Sequence, residues 1–243
     1  MFRSKVPLIK RNKEEGEKPF WISFSDLMTA LMVLFLLVMS VALLAITKNV
    51  PKIEKQKIER EEKIKSFEDD LDKVINKFNL ENPELRAQIR RRDNAIDLGT
   101  IATFEERSNV LTQNQTIKLR NFVKELIPLI NQKKNSEILK NIQVVGFTNK
   151  NGKYLYNLNL SLQRSHRLVC VLLQDQQVDD KLFNLSELNL IKDYFLVSGY
   201  AFNDSTGSAE NDRRIILRMN YIPIGEDKTT SVNSVTNFGD CYL

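Results

Sequence analysis

Between Phe20 and Thr47 the chain carries one charged side chain, Asp26, in the run FWISFSDLMTALMVLFLLVMSVALLAIT. At about 1.5 Å per residue, a run of this length crosses a hydrocarbon core of about 30 Å once as a helix. Trp21 is the only tryptophan of the chain, and it stands where interfacial aromatic anchors concentrate. The plainer reading of Asp26 is a residue marking the water interface. Phe20, Trp21, Ile22 and Phe24 precede it, however, so the apolar segment begins upstream of the carboxylate. An intramembrane carboxylate is costly, and its default reading is an ion or proton site facing a partner.

Low-dielectric surroundings disfavour the charged form of a carboxyl. A site that alternates between polar and apolar surroundings can load a proton on one side and release it on the other. The membrane potential supplies about 2.3 kcal/mol per charge per 100 mV for such a transfer. Ser25 and Thr29 place hydroxyls beside Asp26 and are candidate supports for H+ (as H3O+) or Na+; hydroxyls in helices also bond their own helix carbonyls. One helix cannot enclose a pathway, and this one is apolar around nearly its whole circumference, which calls for burial among other helices or lipid. A membrane partner is therefore expected.

The 243 residues suffice for one membrane helix and one domain of ordinary size. The formal charge of +5 raises the question of nucleic acid. No zinc spacing or RNA-binding signature accompanies it, and the Lys and Arg residues alternate with Glu along helices, so no direct nucleic-acid contact is expected. His166 is the only histidine, which excludes histidine-rich metal sites. With no nucleophile elbow and no phosphate-binding glycine loop, the chain reads as a non-enzyme without cofactor or metal. Cys170 and Cys241 leave two readings: a disulfide tying the tail to the core if the domain is exported, or a buried Cys170 with a free tail thiol.

Residues 1–19 form a short polar tail. The apolar run at 20–47 is too long for a signal-peptide core and no cleavage pattern follows it, so it reads as an uncleaved anchor. Residues 48–83 are charged and helical in character, interrupted by Pro51 and closed by Pro83. Ile64, Phe67, Leu71, Val74 and Phe78 recur at steps of three and four, the seam of a coiled-coil stalk. A parallel dimer would bring two copies of Asp26 side by side; an amphipathic helix lying on its own domain has the same pattern.

Residues 84–222 read as an α+β domain. Strands are expected at 94–98 and 101–104, with a turn at Gly99. Thr112 should cap a helix through Leu129. A buried strand follows at 142–147, then a strong helix over 157–174, a polar segment with one short helix over 176–191, and strands at 194–197 and 213–220. Residues 223–243 read as an irregular tail.

Two motifs carry a family resemblance. The segment Trp21-Ile-Ser-Phe-Ser-Asp26-Leu-Met-Thr29 resembles the single transmembrane helix of MotB-type stator subunits. The segment 142–152, IQVVGFTNKNG, followed by 157–165, NLNLSLQRS, and by Asn211-Asp-Arg213-Arg214 resembles the OmpA-like peptidoglycan-binding domain. The short tail, the late cysteine and the stretch 154–165 are most similar to the ZorB-type stators of Zorya anti-phage systems. The implied fold is a single N-terminal transmembrane helix, a helical stalk and an OmpA-like α/β sandwich.

The resemblance implies that Asp26 carries the translocated ion, H+ or Na+. It implies a homodimer inside a ring, most simply a pentamer, of a larger MotA- or ZorA-like membrane subunit. The N-terminus would be cytoplasmic and the inner-membrane chain would place its C-terminal domain in the periplasm, on peptidoglycan. In the domain the family pairs an aspartate with a helix arginine that clasp the wall peptide. Arg164 matches the arginine. Asn149 stands at the aspartate position, a departure that removes a negative charge. Thr148 and Asn157 match further pocket positions. A flagellar stator and a passive tether between envelope and wall are the alternatives.

Overall fold

The computed structural model describes residues 20–174, 183–208, 211–226 and 233–241. The expected tail at 1–19 and part of the polar segment after Gln176 lie outside these residues. The chain divides into two compact units, Met1–Lys55 and Gln56–Leu243.

The first unit holds the start of helix α1, Phe20–Glu81. From Phe24 onward its described apolar side chains are exposed, including Met32, Phe35, Leu37 and Leu44. Among the described helices it is the one long and apolar enough to cross a membrane. Pro51 does not break the helix, contrary to the sequence expectation. Proline at this position removes one backbone donor, and the flanking helical turns continue across it.

In the second unit α1 continues from Gln56, followed by β1 (Gln88–Arg90), β2 (Ala95–Asp97), α2 (Gln113–Asn131), the short α3 (Lys133–Ser136), β3 (Leu139–Gly146), α4 (Tyr154–Leu173), α5 (Leu185–Tyr194), β4 (Phe195–Gly199) and β5 (Ile215–Tyr221). The sheet order is β1-β2-β5-β3-β4, antiparallel throughout except for the parallel β3–β4 pair. The α+β class is as expected. Residues 99–102 form a 3-10 turn where a strand was expected over 101–104. Ile101, Ala102 and Phe104 are buried, but by packing and not by pairing. A short apolar run does not distinguish the two. Strand β1 carried no recognisable pattern.

Strand residues alternate between two faces. Ile96, Val144, Ile215 and Leu217 belong to the main core with the helices, while Ala95, Val145, Phe147 and Ile216 form a smaller cluster on the other face. Thr112 caps α2 as expected, with Gln115 completing a reciprocal capping box.

The expected stalk seam faces its own domain. Phe67, Leu71, Ile75 and Phe78 are buried in the main core, and Ile64 and Val74 flank it. Phe78 packs edge-to-face on Phe122, with ring centroids 5.1 Å apart. The ion pairs Lys77–Glu125 (3.1 Å) and Lys134–Asp70 (2.8 Å) border the contact. Over only two heptads, a 3.5-residue seam and a 3.6-residue helix face are the same pattern. The compact unit that holds the α+β domain thus starts at Gln56 and includes this helical segment.

Candidate functional site

The helical unit presents Asp26 as its only charged side chain between Phe24 and Thr47. Asp26 and Ser25 are exposed on the helix surface, and Thr29 turns its hydroxyl back to donate to the Asp26 carbonyl oxygen at 2.8 Å. Thr29 is therefore engaged with its own helix in this state, the alternative that helical hydroxyls commonly take.

The second site is built where α4 meets the ends of β3 and β4. The helix lies unusually close to the sheet. A side chain at Gly146 would meet the Ser161 carbonyl oxygen at 2.1 Å, and one at Gly199 would meet the Ser161 hydroxyl at 2.6 Å. Small residues on both sides permit this approach. Ser165 donates to the Ser198 carbonyl at 2.6 Å, and the Ser161 hydroxyl accepts from the Ala201 amide at 3.1 Å. Asn157, Ser161, Arg164, Ser165, Leu168 and Leu172 share the inward face of α4, polar at its start and apolar at its end.

Beyond β3 the chain stays tied to its neighbours. The Phe147 amide donates to Arg214 and the Thr148 amide to Ala201. This delivers Thr148 and Asn149 to the N-terminal end of α4. Asn157 is buried and donates to the Asn151 carbonyl at 2.9 Å, which holds the 148–153 loop against the helix.

Arg164 is 1% exposed. Its guanidinium donates to three backbone carbonyls, those of Ser108 (2.9 Å), Phe147 (2.8 Å) and Glu105 (3.0 Å). It also lies 5.0 Å from the centroid of the Phe104 ring. Desolvation, reinforced by the charge of Arg213, pulls its pKa down to about 10, so it remains a cation at neutral pH. The resemblance implies an arginine offered to a ligand carboxylate. The structure instead places this arginine under the 104–108 segment, as a clasp for main-chain oxygens. Backbone acceptors this far along the chain leave no mark in local sequence.

Thr148 and Asn149 differ from Arg164 and Asn157. They are 1% and 7% exposed, and the Thr148 hydroxyl and the Asn149 amide nitrogen have no hydrogen-bond partner among the described residues. The Asn149 Oδ1 accepts from the Asn151 amide at 3.3 Å, which orients the side-chain amide with its nitrogen as the unsatisfied donor. Buried polar groups are nearly always paired, so two adjacent orphans mark a place where an acceptor is missing. The flanking segments carry two edge-to-face ring pairs, Phe147–Tyr200 and Tyr154–Phe202, that the sequence reasoning missed. The Arg213 and Arg214 side chains are structural. Arg213 donates to the Phe104 carbonyl at 2.8 Å, and Arg214 pairs with Asp97 (3.3 Å), Asp204 (3.3 Å) and Asp212 (3.6 Å).

Cys170 and Cys241 are joined in a disulfide, the first of the two sequence readings. The 233–241 segment has no regular structure and is otherwise held to α5 by Asn189, which both donates to and accepts from the Val235 backbone.

The Zorya protein ZorB of Escherichia coli O139:H28 is 33% identical over 249 residues, covering 100% of this chain and 98% of the relative. The chain belongs to the ZorB family. A family model described as the plug of membrane MotB of the proton-channel complex MotA/MotB matches residues 9–49, which include Asp26. Among solved structures, a putative MotB-like protein from Desulfovibrio vulgaris is 15% identical, with a TM-score of 0.42, covering 67% of this chain and 99% of the other. The periplasmic domain of Helicobacter pylori MotB is 19% identical, with a TM-score of 0.35, covering 56% and 80%.

Proposed function

We propose that this ZorB-family chain is a non-enzymatic stator subunit of an ion-driven motor in the inner membrane, acting in anti-phage defence. Asp26 carries the reading: one carboxylate in an otherwise uncharged membrane-length helix, within the segment that matches the MotB plug family. Asp26 accepts and releases H+ or Na+ as a larger MotA- or ZorA-like subunit moves past it. Two copies of the chain inside a pentameric ring would give that ring two ion sites. The N-terminus is cytoplasmic and the domain from Gln56 onward periplasmic, where it holds peptidoglycan. The orphaned Thr148 hydroxyl and Asn149 amide nitrogen are the groups that favour a wall-peptide oxygen as ligand.

Phage plating efficiency in cells carrying the complete system tests this. The expected outcome is lost protection with Asp26→Asn at unchanged protein level, and at least partial protection with Asp26→Glu. Full protection by Asp26→Asn would remove Asp26 as the working site and leave a passive tether. A motility defect without any phage phenotype would place the chain in a flagellar stator.

A further inference from the structure

The Cys170–Cys241 disulfide has a third neighbour that neither the family reading nor the proposed motor uses. His166 stands one helical turn before Cys170 on α4, so both side chains project from the same face. One imidazole nitrogen and the two sulfur atoms lie within 4.8 Å of one another. His166 is exposed, Cys170 buried and Cys241 half-buried, so the cluster sits at the surface with one open side.

We propose that, once the disulfide is reduced, His166, Cys170 and Cys241 form a binding site for a thiophilic cation of the Zn2+ type. A dithiol reduces the S–S bond to two thiols by exchange and is itself left as a disulfide; a phosphine supplies the two electrons and becomes the phosphine oxide, with water supplying its oxygen and the two thiol protons. The cation then displaces both thiol protons and is held by two thiolates and one neutral imidazole, with solvent at the fourth position. Zinc–sulfur bonds of about 2.3 Å and zinc–nitrogen bonds of about 2.0 Å put tetrahedral ligand atoms under 4 Å apart. The observed spacing needs only side-chain adjustment to reach this.

Two observations favour the site over chance proximity. The His-x-x-x-Cys spacing places two ligands on rigid helix, which removes most of the ordering cost for those groups. The segment that carries the third ligand is tethered independently of the disulfide. Asn189 binds both backbone groups of Val235, at 3.0 and 2.8 Å, and Lys192 donates to the Asn233 carbonyl at 2.6 Å. These tethers limit how far Cys241 can move from α4 after reduction, and the cation takes over the disulfide's role of pinning the tail.

The test is a Co2+ titration of the full-length chain in detergent, with and without prior reduction by a phosphine. The reduced protein should develop a sulfur-to-cobalt charge-transfer band that Zn2+ abolishes, and the oxidised protein should not. His166→Ala, an exposed position that leaves the core intact, should raise the dissociation constant at least tenfold, and Cys241→Ser should remove the band. Absence of the band in the reduced wild type, or a band unaltered by His166→Ala, overturns the proposal.

Discussion

Replacing Arg164 separates structural clasp from ligand contact. Arg164→Ala leaves the Phe147 carbonyl without its donor, and removes the two bonds that hold the Glu105 and Ser108 carbonyls over the helix. Hydrogen bonds from a charged donor contribute about 1.5–3 kcal/mol each. The lost side-chain volume, in a position 1% exposed, costs about 2 kcal/mol more. Relief of the desolvation that lowers the pKa returns about 3 kcal/mol. The net expected loss is about 3.5–8 kcal/mol, large for a single substitution. Arg164→Met removes the same charge and the same bonds but fills the volume, so its loss should be about 2 kcal/mol smaller. Urea unfolding followed by near-ultraviolet circular dichroism, with sedimentation on purified peptidoglycan in parallel, reads both. A midpoint within about 0.5 kcal/mol of wild type for both variants would refute the clasp, because surface charges rarely cost more. A folded Arg164→Met that no longer sediments with the wall would show that the 104–108 segment opens and that Arg164 reaches the ligand.

Three further outcomes follow from the packing. Phe78→Ala should destabilise the domain by about 3–5 kcal/mol without changing its association state, because the ring is 4% exposed against Phe122; concentration-dependent unfolding with loss of a dimer would restore the stalk reading. Gly146→Ala should prevent α4 from seating and abolish stable folding, since the new carbon meets the Ser161 carbonyl at 2.1 Å; a normal melting transition would mean the helix can retreat at little cost. For Asp212, burial pushes the carboxyl up, but donors from Ser205 and Thr206 and the Arg214 charge together outweigh it and hold its pKa below the usual value. Its folded pKa being depressed, its stabilisation is present above the unfolded carboxylate range and is lost as pH falls through the folded value. Asp212→Asn should therefore lower stability at pH 7 and flatten the acid side of the stability profile; an unchanged slope would assign that dependence to other carboxylates.

The sequence alone determined the features that depend on solvent partition and on neighbours one to four residues away. The uncharged run around Asp26 identifies a membrane-length helix whatever the remainder of the chain does. The Thr112–Gln115 box and the apolar faces of α2 and α4 are short-range patterns, and each became a helix. The buried apolar run of β3 and the last strand, β5, likewise became strands. Tertiary structure decided what those faces meet. The Phe67–Phe78 face suits a second helix or a sheet equally well, and only the presence of Phe122 and the rest of the core settles which it touches. The role of Arg164 depended on acceptors 17, 56 and 59 residues away, brought together by the strand order. The pairing of Cys170 with Cys241 spans 71 residues and rests on the tail docking against α5. Long-range partners are chosen by topology and mutual burial, and no local window of sequence contains either.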